Sequence, residues 1–174
     1  MKVWGKNIYQ IKQMKVEINF LDFKKNIKVK QLIKRVIKSS TVEISFCKKM
    51  NFELSVLIVS SSKIKSLNKK YRMINKPTNV LAFPQIDKNN FDNINNLKTS
   101  LIGDIVISPE IIKKESKDYF LGYNDHFSHI LVHGLLHLFG YDHKNTSDTE
   151  IMQKKEISIL EKINIKNPYY VINK

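Results

Sequence analysis

The stretch His133-Gly134-Leu135-Leu136-His137-Leu138-Phe139-Gly140-Tyr141-Asp142-His143 decides how this chain is read. Side chains four apart on a helix lie one above the other on one face. His133 and His137 can therefore aim two imidazoles at one point. Gly140 is suited to end that helix, because glycine takes the left-handed conformation past a helix end without a Cβ clash. The chain then turns back and delivers His143 as a third ligand. Three imidazoles around one point describe an open metal site, with a fourth position for water. The chain has only 5 histidines in 174 residues. Chance would produce this spacing on the order of 0.004 times, so the pattern is specific. The plainer alternative is two buried helix histidines and a loop histidine, which gives the Gly-turn-His ending no purpose.

Outward from this helix, strands and helices alternate. Lys15–Phe23, Phe52–Val59, Thr78–Phe83 and Leu101–Ser108 read as strands from alternation and β-branched content. Val29–Lys38 has apolar residues at helix spacing. Ser60–Ser62 offer caps for a helix reaching about Met73, which Pro77 stops. Pro109 after Ser108 opens a further helix over 110–119. Asn124 or Asp125 is expected to cap the histidine helix. Ser147 or Asp148 is expected to cap a last helix to about Ile163, with Ile151, Ile157, Leu160 and Ile163 facing inward. The expected fold class is α+β: a single domain over 1–174 with one small mixed sheet of about four strands, packed by about five helices, and a three-histidine site at a helix end. Residues 1–14 form an unassigned extension, and the Asn-rich stretch 85–100 reads as a loop, disordered or a lid.

Composition narrows the class. A hydrophobic share of 42% and a charged share of 26% fit a globular protein. The N-terminus shows no signal-peptide pattern, and no apolar run approaches the ~20 residues needed to span a bilayer. Cys47 is the only cysteine, which excludes an intrachain disulfide and a thiolate metal cluster and suits the cytoplasm. The net charge of +14 points to an anionic partner such as RNA or DNA. A Lys/Ile/Asn-biased composition would raise the charge without one. Among 30 basic residues only Arg35 and Arg72 are arginine. In a chain that otherwise uses lysine, Arg72 suggests a need for the planar bidentate fork; a surface cation favourable to a helix end is the alternative.

Three segments besides the histidine motif resemble the bacterial rRNA-maturation endoribonuclease family, the YbeY family. Leu67-Asn-Lys-Lys-Tyr71-Arg72 is similar to its LNxxYR helix end. Pro77-Thr-Asn79-Val-Leu-Ala82-Phe-Pro84 is similar to its PTDVLSFP strand, and Leu101-Ile-Gly103-Asp104-Ile105 to its LGDI strand. Asn79 and Ala82 depart from the family's Asp and Ser; neither is a metal ligand in the motif. The resemblance implies a single-strand-preferring, zinc-dependent endoribonuclease. It further implies action on ribosomal RNA, including 16S rRNA 3′-end maturation, and ribosome quality control, with the small ribosomal subunit or its associated factors as partners and no membrane.

The expected cofactor is one Zn²⁺ per chain on His133, His137 and His143, with Ni²⁺, Co²⁺ and Cu²⁺ compatible by ligand type. His133 and Arg72 are the expected catalytic residues, Arg72 binding phosphate through its two-pronged guanidinium. Asp104 and Asp142 are candidates to fix histidine tautomers. His129 is a candidate pocket residue, and His126 is expected to be exposed. The spacing also resembles metzincin peptidases, but those need Glu directly after the first histidine, where this chain has Gly134. A metallopeptidase and a non-catalytic zinc-containing ribosome-assembly factor remain as alternatives.

Overall fold

Alternation of apolar residues along the strands sets the layers. In the computed structural model, which describes residues 13–44, 51–86 and 99–170, the strands are β1 (Gln13–Phe20), β2 (Asn51–Ile58), β3 (Val80–Pro84) and β4 (Thr99–Ile107). Their order in the sheet is β1-β2-β4-β3. β1, β2 and β4 run parallel, and β3 pairs antiparallel with β4 at the edge. The helices are α1 (Ile27–Glu43), α2 (Ser61–Arg72), α3 (Pro109–Asp118), α4 (Tyr123–Leu138) and α5 (Thr146–Glu161), followed by a 3-10 turn at Pro168–Tyr170. Among the described residues, the α+β class with one four-stranded mixed sheet and five helices is as expected.

Because successive strand residues point to opposite faces, the two apolar clusters report which helices cover which face. Phe52, Leu54, Val56, Ile58, Ile105 and Ile107 join Ile33 and Val36 of α1, Leu131 and Leu135 of α4, and Ile159 and Leu160 of α5 in the main core. Leu57, Leu81, Phe83 and Val106 face the other way and pack with Ile64 and Leu67 of α2. Thus α2 lies on one face of the β3 edge and α4 on the other.

Two glycines permit this close packing. Gly103 has φ +143°, and a Cβ there would lie 2.2 Å from the Phe83 carbonyl oxygen across the β3–β4 ladder. It follows an irregularity in the β2–β4 register that skips Ile102. Gly134 lets α4 approach the sheet: a Cβ would meet Val80 Cγ2 at 3.0 Å.

Local signals place most helix ends. Asn26, Ser60 and Asn145 cap α1, α2 and α5 by accepting from the backbone three residues on. Asn145, rather than Ser147 or Asp148, begins α5. Gly122, rather than Asn124 or Asp125, precedes α4. The phase of α5 also differs from expectation. Met152, Glu156, Ile159 and Leu160 are buried, whereas Ile151 is 52% exposed. Residues 1–12 of the extension, residues 87–98 of the Asn-rich stretch and Cys47 lie outside the described residues. Among the described residues, no helix is long and apolar enough to cross a membrane.

Candidate metal centre

The end of α4 is a Schellman motif. Gly140, at φ +81°, donates to the His137 carbonyl at 3.0 Å, and Tyr141 N donates to the Leu136 carbonyl at 3.1 Å. The turn aims the Tyr141 carbonyl back at the helix, where it accepts from His137 Nδ1 at 3.0 Å. His133 Nδ1 donates to Glu156 Oε1 at 2.8 Å. With both Nδ1 atoms so engaged, both Nε2 atoms carry lone pairs, and they face each other at 3.1 Å. Two such lone pairs repel unless a cation or a shared proton lies between them. Nitrogens of a tetrahedral zinc site stand ~3.3 Å apart, given Zn–N bonds of about 2.0–2.1 Å. His143 completes the group, its ring 5.4 Å from that of His133 and 5.1 Å from that of His137. One ligand atom from each of the three lies within 4.8 Å of the others. Burial first, and then the neighbouring His133, push the His137 imidazole below its usual pKa against the pull of the Tyr141 carbonyl, which favours the neutral, ligating form. The donor set fits a transition metal.

Sequence reasoning missed Glu156. This α5 carboxylate is 1% exposed and accepts from three donors: His133, His129 Nε2 at 3.3 Å, and the Tyr169 hydroxyl of the 3-10 turn. Burial alone would raise its pKa. The hydrogen bonds from His129 and His133, the charge of His129 and the Tyr169 hydroxyl outweigh burial and hold it at about 2. The available signal was a glutamate four residues after Met152 and four before Leu160, on the buried stripe of α5. The two aspartates proposed for this task do other work. Asp104 accepts from Ser55 and from Gln85 Nε2 at 3.0 Å, and no histidine contacts it. Asp142 accepts from the His143 backbone N–H at 2.8 Å and pairs with Lys144. It reaches His137 only through its charge, which pulls that imidazole's pKa upward.

His129 lies beside the centre, bound to the same carboxylate as His133. His126 is buried, not exposed: its Nε2 meets Glu115 Oε2 at 2.8 Å. Glu115 also accepts from Asn79 Nδ2, at 3.1 and 3.3 Å. An ionised aspartate at position 79 could not donate in this way.

The three histidines open on a cleft of about 1000 Å³. Its walls are β3 with its flanks, the Gly140–Lys144 turn, and the end of α2, which contributes Tyr71 and Arg72. Arg72 is exposed and has no ion-pair partner among the described residues, so its guanidinium is free for a ligand. No acidic residue occurs between Glu53 and Asp87, the segment that supplies this wall.

The family model for Endoribonuclease YbeY matches residues 11–164. The Endoribonuclease YbeY of Buchnera aphidicola subsp. Acyrthosiphon pisum is 38% identical over 141 residues, covering 80% of this chain and 87% of that protein. That of Colwellia psychrerythraea is 36% identical over 133 residues, covering 76% of this chain and 82% of its own length. The solution structure of TM1509 from Thermotoga maritima shares the fold, with a TM-score of 0.58 at 24% identity over 85% of this chain and 88% of that one. With the histidine turn, the free arginine and the sheet in the arrangement described, the chain belongs to the YbeY endoribonuclease family.

Proposed function

We propose that this chain is a zinc-dependent endoribonuclease that cuts single-stranded RNA. Its proposed substrates are ribosomal RNAs, the 3′ end of 16S rRNA among them, and its setting is ribosome maturation and quality control in the cytoplasm, on the small subunit or its associated factors. The observation that carries the reading is the pair of opposed Nε2 lone pairs, with His143 beside them, opening on a cleft walled by a free guanidinium.

Zinc held by His133, His137 and His143 would supply Lewis acidity and a nucleophile at neutral pH. The chain's own contribution is positioning and charge. Glu156 and the Tyr141 carbonyl hold two imidazoles in the ligating tautomer. Arg72 can grip two non-bridging phosphate oxygens and stabilise the charge that grows there during cleavage. Asp142, the one carboxylate among the described residues that line the cleft, is engaged by the His143 N–H and Lys144. No described cleft side chain is therefore placed as a free general base. Gly134 opposes a peptidase reading, because it stands where such an enzyme carries its glutamate base, and even a Cβ there would press on Val80 at 3.0 Å and Ile105 at 3.4 Å.

The test is digestion of one defined single-stranded RNA with and without chelator, with the product ends mapped. We expect cleavage that chelator and His137→Ala both abolish. Cyclic phosphate ends would assign attack to the RNA 2′-hydroxyl. A protein that binds no metal, or a His137→Ala variant with full activity, would refute the reading. Intact RNA after long incubation with zinc-loaded, RNA-bound protein would point instead to a non-catalytic assembly factor.

A further inference from the structure

We infer that Tyr71 is a stacking platform for one nucleobase of the bound strand, a subsite that rests on the endoribonuclease reading above. Tyr71 lines the cleft that holds the three histidines, yet its side chain is 55% exposed. A tyrosine kept for the core would bury its ring, and this one does not. The ring is nonetheless fixed in place. Phe83 of β3 meets it edge to face, with centroids 5.1 Å apart and planes at 67°. Phe83 in turn packs with Leu81 and Val106 in the smaller core. The platform is thus anchored to the same edge strand that walls the cleft.

Its surroundings select the ligand. The Lys70 ammonium stands 5.1 Å from the Tyr71 centroid, so one π face is already engaged by a cation on a long flexible stem. A nucleobase can displace that stem and stack, leaving Lys70 to meet a phosphate. Arg72 lines the same cleft, and Lys69 and Lys76, close by in the sequence, are exposed. An aromatic face set in a cationic track is what unpaired nucleic acid needs, since its bases have free π faces and its backbone is anionic. A duplex, its bases stacked and paired, has no base to give. This subsite therefore supplies a physical basis for single-strand preference that the metal centre alone does not.

The probe is an end-labelled single-stranded RNA about 12 nucleotides long, within the site sizes of single-strand grooves. Its affinity for the full chain is measured by fluorescence anisotropy, with and without zinc. Stacking on one aromatic ring predicts a loss of about 5- to 150-fold in Tyr71→Ala. Tyr71→Phe and Tyr71→Trp keep affinity near that of the parent, because the ring and not the hydroxyl makes the contact. An abasic nucleotide moved along the RNA weakens binding to the parent at one position, and the same abasic RNA costs Tyr71→Ala nothing further. Unchanged affinity in Tyr71→Ala overturns the inference, as does an abasic penalty equal in parent and variant. The abasic scan on the parent needs no variant to fold, and a flat scan is also fatal. Binding with the stacking signature but no cleavage refutes the endoribonuclease reading and leaves the platform standing; cleavage with a flat scan does the reverse.

Discussion

Replacing Glu156 by glutamine should weaken zinc binding without touching a ligand. In the native site one carboxylate oxygen accepts from His133 Nδ1 at 2.8 Å, and the other from His129 and Tyr169. An amide of the same shape keeps one acceptor. It can keep its oxygen on His133 by turning its NH2 toward Tyr169, whose hydroxyl can rotate to accept. His133 then loses the charge on its acceptor but not the bond. A hydrogen bond to a charged group contributes about 1.5–3 kcal/mol and a neutral one about 0.5–1.5, so the difference is about 1–1.5 kcal/mol, or roughly 5- to 13-fold in zinc affinity. Glu156→Ala removes the acceptor altogether and should approach the hundredfold end of such effects. Competition with a chromophoric chelator at neutral pH reads both. Glu115→Gln is the control, because Glu115 pairs with His126 in the same way but not with a metal ligand. Zinc affinity within twofold of the parent in Glu156→Gln, or an equal loss in Glu115→Gln, would show that His133 is not held by this carboxylate.

Other expectations follow from the backbone and the surface. Gly103→Ala should lose at least about 2 kcal/mol in urea unfolding, since its Cβ would strike a carbonyl oxygen and its φ is one that alanine resists. Gly140→Ala should lose about 1 kcal/mol by the same assay, and Gly140→Asn less, because asparagine tolerates the left-handed region better. Glu43 bonds Lys162 and Ser158 across the ends of α1 and α5. Lys162 foremost, against burial, holds its pKa below the ordinary 4.5. Its stabilising contribution is therefore full above that value and is lost as pH falls through the lower folded value. The stability gap between parent and Glu43→Gln should close in acid and stay open at neutral pH.

The histidine helix was legible because its signals are local. A four-residue spacing defines one face, a glycine ends the helix, and the next few residues return the chain. Strands and capped helices were legible for the same reason. What the sequence hid was nonlocal. Ile151 and Ile157 suggest one phase for α5, but a buried glutamate occupies the stripe that meets α4, and charge at that position disguises the buried face. His126 looked exposed because its partner, Glu115, comes from a different helix. Asp104 and Asp142 are near the histidines in the sheet or in the sequence, and proximity does not say which donor a carboxylate meets first. Arg72 and the histidines lie some sixty residues apart, and only the antiparallel placement of β3 brings the end of α2 beside them.

The three histidines span eleven consecutive residues, 133 to 143, and the first two already stand on one helix. Recruiting the third closes only the short loop between His137 and His143. The length-dependent entropy of closing about five residues is about 1.4 kcal/mol. Small zinc domains whose ligands are scattered unfold when the ion leaves, because the ion gathers their chain. Here the sheet and its two cores are gathered by apolar contacts that do not involve the ligands. Stripping the metal should loosen the turn after Gly140 and leave the rest folded, ready to be refilled. Cellular metal supply would then set how much of this protein is active without setting how much of it survives.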